Sequence, residues 1–361
     1  MGNDFLLTSG RLVTPQRIIE GALHISRGRI VAIRQRVLRG AKTIDARGCY
    51  VAPGFIDLHV WGEPSTLSRE LVAHGTTAFL TTLGPESAQR LLQEVAARAK
   101  ATEPDGAQCV GFHLEGPFLN PARGGALPRR WMRAPSVREL HQLWRASGER
   151  LRLVTLAPEL PGAREAVRWC RRHRVVASLG HSDADAATAA RAVVTGARAV
   201  THVFNGMRLF HHRRPSLLDV ALTDPRLTAM AILDGVHVSP SAFRLLVRAK
   251  GADHVALVTD SIRHAGWDVV ERGGAFVRRD GTLAGSRLTM IEAVRNAVKL
   301  GGVALGDAIR MATEIPARLI GDRSRGQLAV GRRADLVVFD EQFRVRLTLV
   351  AGRITSQRGS G

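Results

Sequence analysis

Apolar and polar positions follow two different rhythms along the chain, and the change of rhythm divides it. Over the first fifty residues, FLLTSGRLVT, GALHISRGRIVAIRQ and AKTIDARGCYVAPG carry short apolar runs broken by glycine-containing turns, the pattern of a β-meander. The stretch GQLAVGRRADLVVFDEQFRVRLTLVAGRI, close to the other end, has the same texture. Between them, apolar or β-branched runs recur at 51–60, 76–83, 109–116, 151–159, 175–182, 199–206, 227–235 and 254–261. Segments such as SAQRLLQEVAARAKA, SVRELHQLWRAS, ADAATAARAVVTGA and SAFRLLVRAK lie between these runs. Their apolar residues recur every three or four positions, as on one face of a helix.

Eight strands alternating with helices predict an α/β fold, a TIM-like (β/α)8 barrel, because strands apolar on both faces suit a parallel sheet covered by helices. An open, doubly wound sheet is the competing arrangement, but no G-x-G-x-x-G follows the first strand. The two strand-rich ends are expected to meet as one small β-sandwich domain. Residues 1–52 with 325–361 would form it, leaving 53–324 to the barrel.

Composition narrows the function classes. With 361 residues, 45% of them hydrophobic, the chain reads as an ordinary folded globule. It has no run of eighteen apolar residues, and MGNDFLLTSG lacks a basic segment followed by an apolar one, so neither a membrane span nor a secretory signal is expected. Cys49, Cys109 and Cys170 are scattered without metal-like or disulfide-like spacing, which favours a reducing cytoplasm. The net charge of +20 would ordinarily raise the case for a nucleic-acid partner. The basic residues are almost all Arg, however, spread along the whole chain with only four Lys. No aromatic platform accompanies them, so nucleic acid ranks low among the partners.

The chemistry gathers at the ends of the predicted strands. His59 ends the first, His113 and Glu115 the third, His181 the fifth, His202 the sixth and Asp260 the eighth, with His237 just past the seventh. A single His in such a place is more often a hydrogen-bonded core residue than a ligand. Several ionisable groups at matched ends of different strands are costly to bury without a common partner, and a divalent metal supplies one. One carboxylate with two neutral imidazoles leaves a coordination position open, as hydrolytic zinc sites do.

The motifs PGFIDLH, HLEGPF, GHSDA, THVFNGM, DGVH, LVTD and LAGSRLTMIEAVRN, in that order, resemble those of the N-acetylglucosamine-6-phosphate deacetylase family of the amidohydrolase superfamily. The resemblance spans nearly the whole chain and includes RRADLVVFD. It implies that Glu115, His181 and His202 hold one divalent metal, zinc by default for a mixed His and carboxylate set. Asp260 would be the general base and then the acid, so that no nucleophilic Ser or Cys is needed. His237, Asn205 and Gly206 would meet the sugar phosphate. Arg213, with Arg214 as second candidate, would reach the phosphate across a homodimer interface.

Three departures from the family pattern stand out. Trp61 occupies the second position of an expected His-x-His, so a second metal would lose a ligand and His59 becomes an optional or outer contact. Leu127 stands where a carbonyl-contacting His is usual, and a leucine cannot donate to a developing oxyanion. The segment 63–75 and the stretch that follows TDSIRHAGW (259–267) look shortened. Trp61 and Leu127 would add apolar surface beside the substrate. The expected activity is metal-dependent removal of an N-acetyl group from N-acetylglucosamine 6-phosphate or a close phosphosugar. A deacylase for another N-acylated substrate is the alternative, and a non-catalytic homologue ranks below both.

Overall fold

The computed structural model describes residues 4–34, 42–101 and 105–357. The tips of two expected strand stretches, at 35 and 41, lie outside them. Eight parallel strands form the barrel: Phe55–Gly62, Thr76–Leu83, Gln108–Glu115, Leu151–Leu156, Val176–Leu179, Ala199–Val200, Thr228–Ala231, and an eighth in two pieces, Val255–Leu257 and Ser261–His264. Each pairs in parallel with the next, and the last piece returns to the first strand through Ser261 opposite Val60. That pairing closes the ring. The gap between the two pieces, residues 258–260, ends on Asp260.

Every residue of the first two strands is buried, as expected for a sheet covered on its outer face by helices and filled by side chains within. The helices Ala88–Lys100, Val137–Ala146, Ala186–Thr195 and Pro240–Lys250 fall where the three-to-four-residue periodicity placed them. Each starts on a side-chain cap, from Ser87, Ser136, Asp185 and Ser239, which accepts an otherwise unpaired backbone N–H. Helix 137–146 buries Leu140 and Leu143 against the barrel, each contributing roughly 1.5–3 kcal/mol.

The fifth and sixth strands are shorter than their apolar runs, ending at Leu179 and Val200. The backbone turns left-handed at His181 and His202, which takes those residues off the ladder. Residues 63–75 pass at once into the helix Pro64–Leu71 and a 3-10 turn at Val72–His74. Beyond His264 lies an antiparallel flap, Val270–Arg272, Ala275–Val277 and Leu283–Ser286, which extends the barrel sheet to twelve strands. Alternation did not predict the flap, because its strands are three or four residues long and too short to show a period.

The strands from the two ends of the chain join in one mixed eight-stranded sheet. Tyr50–Pro53 lies between Phe5–Val13 and Leu336–Phe339, so the sequence-distant ends share one hydrogen-bonded ladder. This sheet has its own apolar cluster, including Leu7, Leu23, Val51, Leu336 and Leu349. Among the described residues no helix is long and apolar enough to cross a membrane.

Candidate active site

Three strand ends converge on one carboxylate. Glu115 is the last residue of the third strand. Its Oε1 lies 2.9 Å from His181 Nε2 and 2.8 Å from His202 Nε2, and the two nitrogens are 3.1 Å apart. Its other oxygen, Oε2, is 3.2 Å from His59 Nε2, which in turn is 3.2 Å from Asp260 Oδ1. All five residues are buried, His59 completely. Two donor groups of metal type result, Glu115 with His181 and His202, and His59 with Glu115 and Asp260.

The backbone aims these side chains. His181, His202 and Asp260 have φ of 46°, 29° and 48°, a region non-glycine residues rarely enter. Such conformations cost on the order of 1–3 kcal/mol each and persist only where their surroundings enforce them. Here each turn comes just after a barrel strand and swings the side chain over the mouth of the barrel. At Asp260 the enforcement is visible: its N–H donates to the His59 carbonyl at 2.8 Å, and its own carbonyl accepts from Ser286 at 3.0 Å. Asp57 sits beneath the same turn, accepting from the Thr259 hydroxyl at 2.5 Å and from the His59 N–H at 3.1 Å. Burial pushes Asp57 up to about 6, against the pull of those donors.

The tautomer of His181 follows from its other nitrogen. Nδ1–H donates to the Arg123 carbonyl at 2.8 Å, so Nε2 carries the lone pair toward Glu115. Arg123 is anchored by an ion pair to Asp183, which also binds Arg208. Those two guanidinium groups, Arg208 foremost, hold the Asp183 carboxyl down at about 2. Gly206 presses on the same imidazole. A Cβ there would lie 2.9 Å from His181 Nδ1, and its φ is +62°. Sequence reading missed Arg123, since a backbone carbonyl leaves no residue-type signature.

The electrostatics favour positive charge. Burial disfavours the ionised Glu115, yet His59, His181 and His202 together hold its pKa well below the usual carboxylate range. Burial likewise opposes charge on His59, but Asp260 and Glu115 lift it to about 9. His181 is raised as well, the Glu115 carboxylate outweighing burial. The carboxylates therefore draw either protons onto the imidazoles or a divalent metal in their place. The donor set fits a metal: one carboxylate and two imidazole nitrogens meeting at a point, with room for a further ligand on the cavity side. His113, by contrast, is kept neutral by burial and by its positive neighbour His59, and its Nε2 bonds the Thr155 hydroxyl at 2.8 Å.

The cluster opens into a cavity of about 270 Å³, lined also by Trp61, Leu127, Asn205, Gly206, His237 and Trp267. Larger clefts of about 670 and 580 Å³ lie elsewhere on the surface, and among the described residues neither holds a donor group of metal type. One end of the cavity is polar. His237 Nδ1 pairs with Asp234 at 2.6 Å, which leaves its Nε2 for a ligand. Asn205 caps its own turn, donating to the carbonyls of His202 and Val203 at 3.3 Å. The other end is apolar: Trp61 and Leu127 belong to one cluster with Leu119, Met132, Ile262 and Trp267. The two substitutions that looked separate along the chain are thus neighbours in a single wall. Arg213 and Arg214 do not line the cavity. Both are exposed, and Arg213 Nη1 donates to His212 Nε2 at 2.8 Å.

Comparison with known proteins follows the same lines. The amidohydrolase family model matches residues 50–355. The N-acetylglucosamine-6-phosphate deacetylase of Bacillus subtilis (strain 168) is 35% identical over 98% of each chain. The N-acetylgalactosamine-6-phosphate deacetylase of Escherichia coli O157:H7 is also 35% identical, over 85% of this chain and 88% of that one. Among solved structures, a mutant N-acetyl-D-glucosamine-6-phosphate deacetylase from Mycobacterium smegmatis, in complex with N-acetyl-D-glucosamine-6-phosphate, superposes with a TM-score of 0.91. It is 31% identical over 98% of this chain and 100% of that chain.

Proposed function

Because the chain belongs to the amidohydrolase superfamily, and within it to the N-acetylglucosamine- and N-acetylgalactosamine-6-phosphate deacetylase family, we propose that it hydrolyses the N-acetyl group of N-acetylglucosamine 6-phosphate or a closely related phosphosugar. The observation that carries this is the convergence of Glu115, His181 and His202 on one point, with Asp260 beside the same cavity. Glu115, His181 and His202 would hold one divalent metal, zinc by the mixture of donors, and that metal supplies Lewis acidity to a water and to the amide carbonyl.

The chain's own groups account for the proton. Asp260 accepts a proton from water as its oxygen attacks the carbonyl carbon. It returns that proton to the nitrogen as the C–N bond breaks, so that the amine and acetic acid leave, the acid giving its proton to solvent as acetate, and Asp260 is again a carboxylate. His237, oriented by Asp234, and the backbone at Asn205 and Gly206 would bind the sugar and its phosphate. Arg213, with Arg214 beside it, would complete the phosphate site from a partner subunit. The molecule would then act as a homodimer in the cytoplasm, with 53–324 as its catalytic barrel and the two chain ends as the supporting domain.

A deacylase for a different N-acyl substrate is the second reading. The apolar wall of Trp61, Leu127 and Trp267 favours it. A panel on metal-analysed protein separates the two: N-acetylglucosamine 6-phosphate, its galacto isomer, the unphosphorylated sugars, and the N-propionyl and N-butyryl phosphosugars. Turnover highest on an N-acetyl phosphosugar, with KM raised by Arg213→Ala, supports the first reading. Preference for the longer acyl groups supports the second.

A further inference from the structure

Trp61 has a polar job as well as an apolar one. It lies two residues after His59 on the strand Phe55–Gly62, so its indole shares the inward face with that imidazole. Its Nε1–H donates to Asp260 Oδ1 at 2.9 Å, inside a site where Trp61 is only 6% exposed. The same Oδ1 is the oxygen that lies 3.2 Å from His59 Nε2. Both contacts fall on one oxygen of Asp260, and Oδ2 is left to exchange a proton.

The ring is held in place by its surroundings. Trp267 meets it edge-on with centroids 4.8 Å apart, and Leu119, Leu127 and Ile262 pack in the same cluster. Gly84, just past the second strand, gives it room: a Cβ there would come within 2.9 Å of Trp61 Cη2. A large ring fixed by packing, with its only polar atom directed at one carboxylate oxygen, is the geometry of a preorganised donor.

Position 61 also bears on the second donor group, His59 with Glu115 and Asp260. An indole N–H has no lone pair to offer a cation. Its hydrogen is instead directed at the carboxylate oxygen such a cation would need.

We propose that Trp61 is a positioning residue for Asp260: its N–H occupies the electrostatic place of a second cation, fixing Oδ1 and presenting Oδ2 to the water and then to the leaving amine. Trp61 itself gives up no proton in the cycle. The inference rests on the reading of Asp260 as the proton carrier.

The test combines kinetics on N-acetylglucosamine 6-phosphate with metal analysis. Trp61→Phe keeps the ring and removes the donor. It is expected to lower kcat about tenfold to a hundredfold, the range for a group that orients an active-site residue, while KM changes less than about threefold. In an Asp260→Ala background the same substitution is expected to have no further effect, whereas a packing role would lower both backgrounds alike. Trp61→His supplies a lone pair on the same face and is expected to raise metal content from one to two per chain. That measurement needs no substrate. An unchanged kcat in Trp61→Phe, an equal loss in both backgrounds, or one metal per chain in Trp61→His would overturn the proposal. If the wild-type protein does not turn over N-acetylglucosamine 6-phosphate, the substrate reading fails, and the metal arm still decides the place of Trp61.

Discussion

The Nε2 atoms of His181 and His202 lie 3.1 Å apart, each also within hydrogen-bond distance of Glu115 Oε1. His181 donates through Nδ1 to a carbonyl, so its Nε2 can serve as a ligand atom. Two imidazole nitrogens at that separation need positive charge between them, and a metal provides it. Chelation is therefore expected to lower the midpoint of thermal unfolding, with restoration by one equivalent of zinc. A metal that binds only the folded chain stabilises it by about 2.7 kcal/mol at a free concentration one hundred times its Kd. Calorimetry with and without chelator checks this, and an unfolding midpoint indifferent to chelation would remove the metal from the account.

Gly206→Ala is expected to weaken metal binding without altering any ligand. The left-handed backbone alone costs a side chain roughly 1–2 kcal/mol. The added Cβ would also press to 2.9 Å from His181 Nδ1 and turn the imidazole away from Glu115. An affinity loss of about 10–100-fold is expected, as for other groups that orient a ligand. Gly251→Ala is the control, with φ of +78° and open space around its Cβ. It should cost stability and leave metal affinity alone, which competition with a chromophoric chelator would show.

Much of this site could be read along the chain. Glu115, His181, His202 and Asp260 stand out as a set, because several acids and imidazoles at matched ends of apolar runs are costly to bury without a common partner, although His113 shows that one such residue alone can be a core histidine. The eight barrel strands were legible for a related reason, since runs buried on both faces are rich in apolar and β-branched residues. What the sequence concealed depends on contacts between distant residues. The bond from Trp61 to Asp260 spans 199 positions, and nothing local to either residue announces it. Trp61 and Leu127 both read as apolar surface beside the substrate, but only the fold shows them packed into one cluster. The left-handed backbone at His181, His202 and Asp260 is hidden because none of these three positions is itself a glycine, the usual marker of such a conformation.

Lys250 carries a pH dependence away from the site. Its ammonium is buried at the end of helix 240–250 and donates to the Asp224 carbonyl at 2.8 Å. Burial pushes it down to about 8, only partly offset by the Asp224 carboxylate. Between pH 8 and the ordinary lysine value of about 10.4, the unfolded chain keeps a proton that the folded chain has released. Stability from this group therefore rises with pH across that window and is independent of pH below it, where both states hold the proton. Urea unfolding at several pH values, wild type against Lys250→Met, should show the difference between the two shifting in favour of wild type as pH rises. A difference independent of pH would contradict the assignment.

The central claim is that Asp260 carries the proton between water and the leaving amine while Glu115, His181 and His202 hold the metal. Asp260→Asn, loaded with metal and assayed on the best substrate of the panel, tests it most directly. A fall in kcat of about 10²–10⁴ is expected, the usual contribution of a general acid–base group, with metal content unchanged at one per chain. Wild-type turnover in that variant, at full metal occupancy, would contradict it.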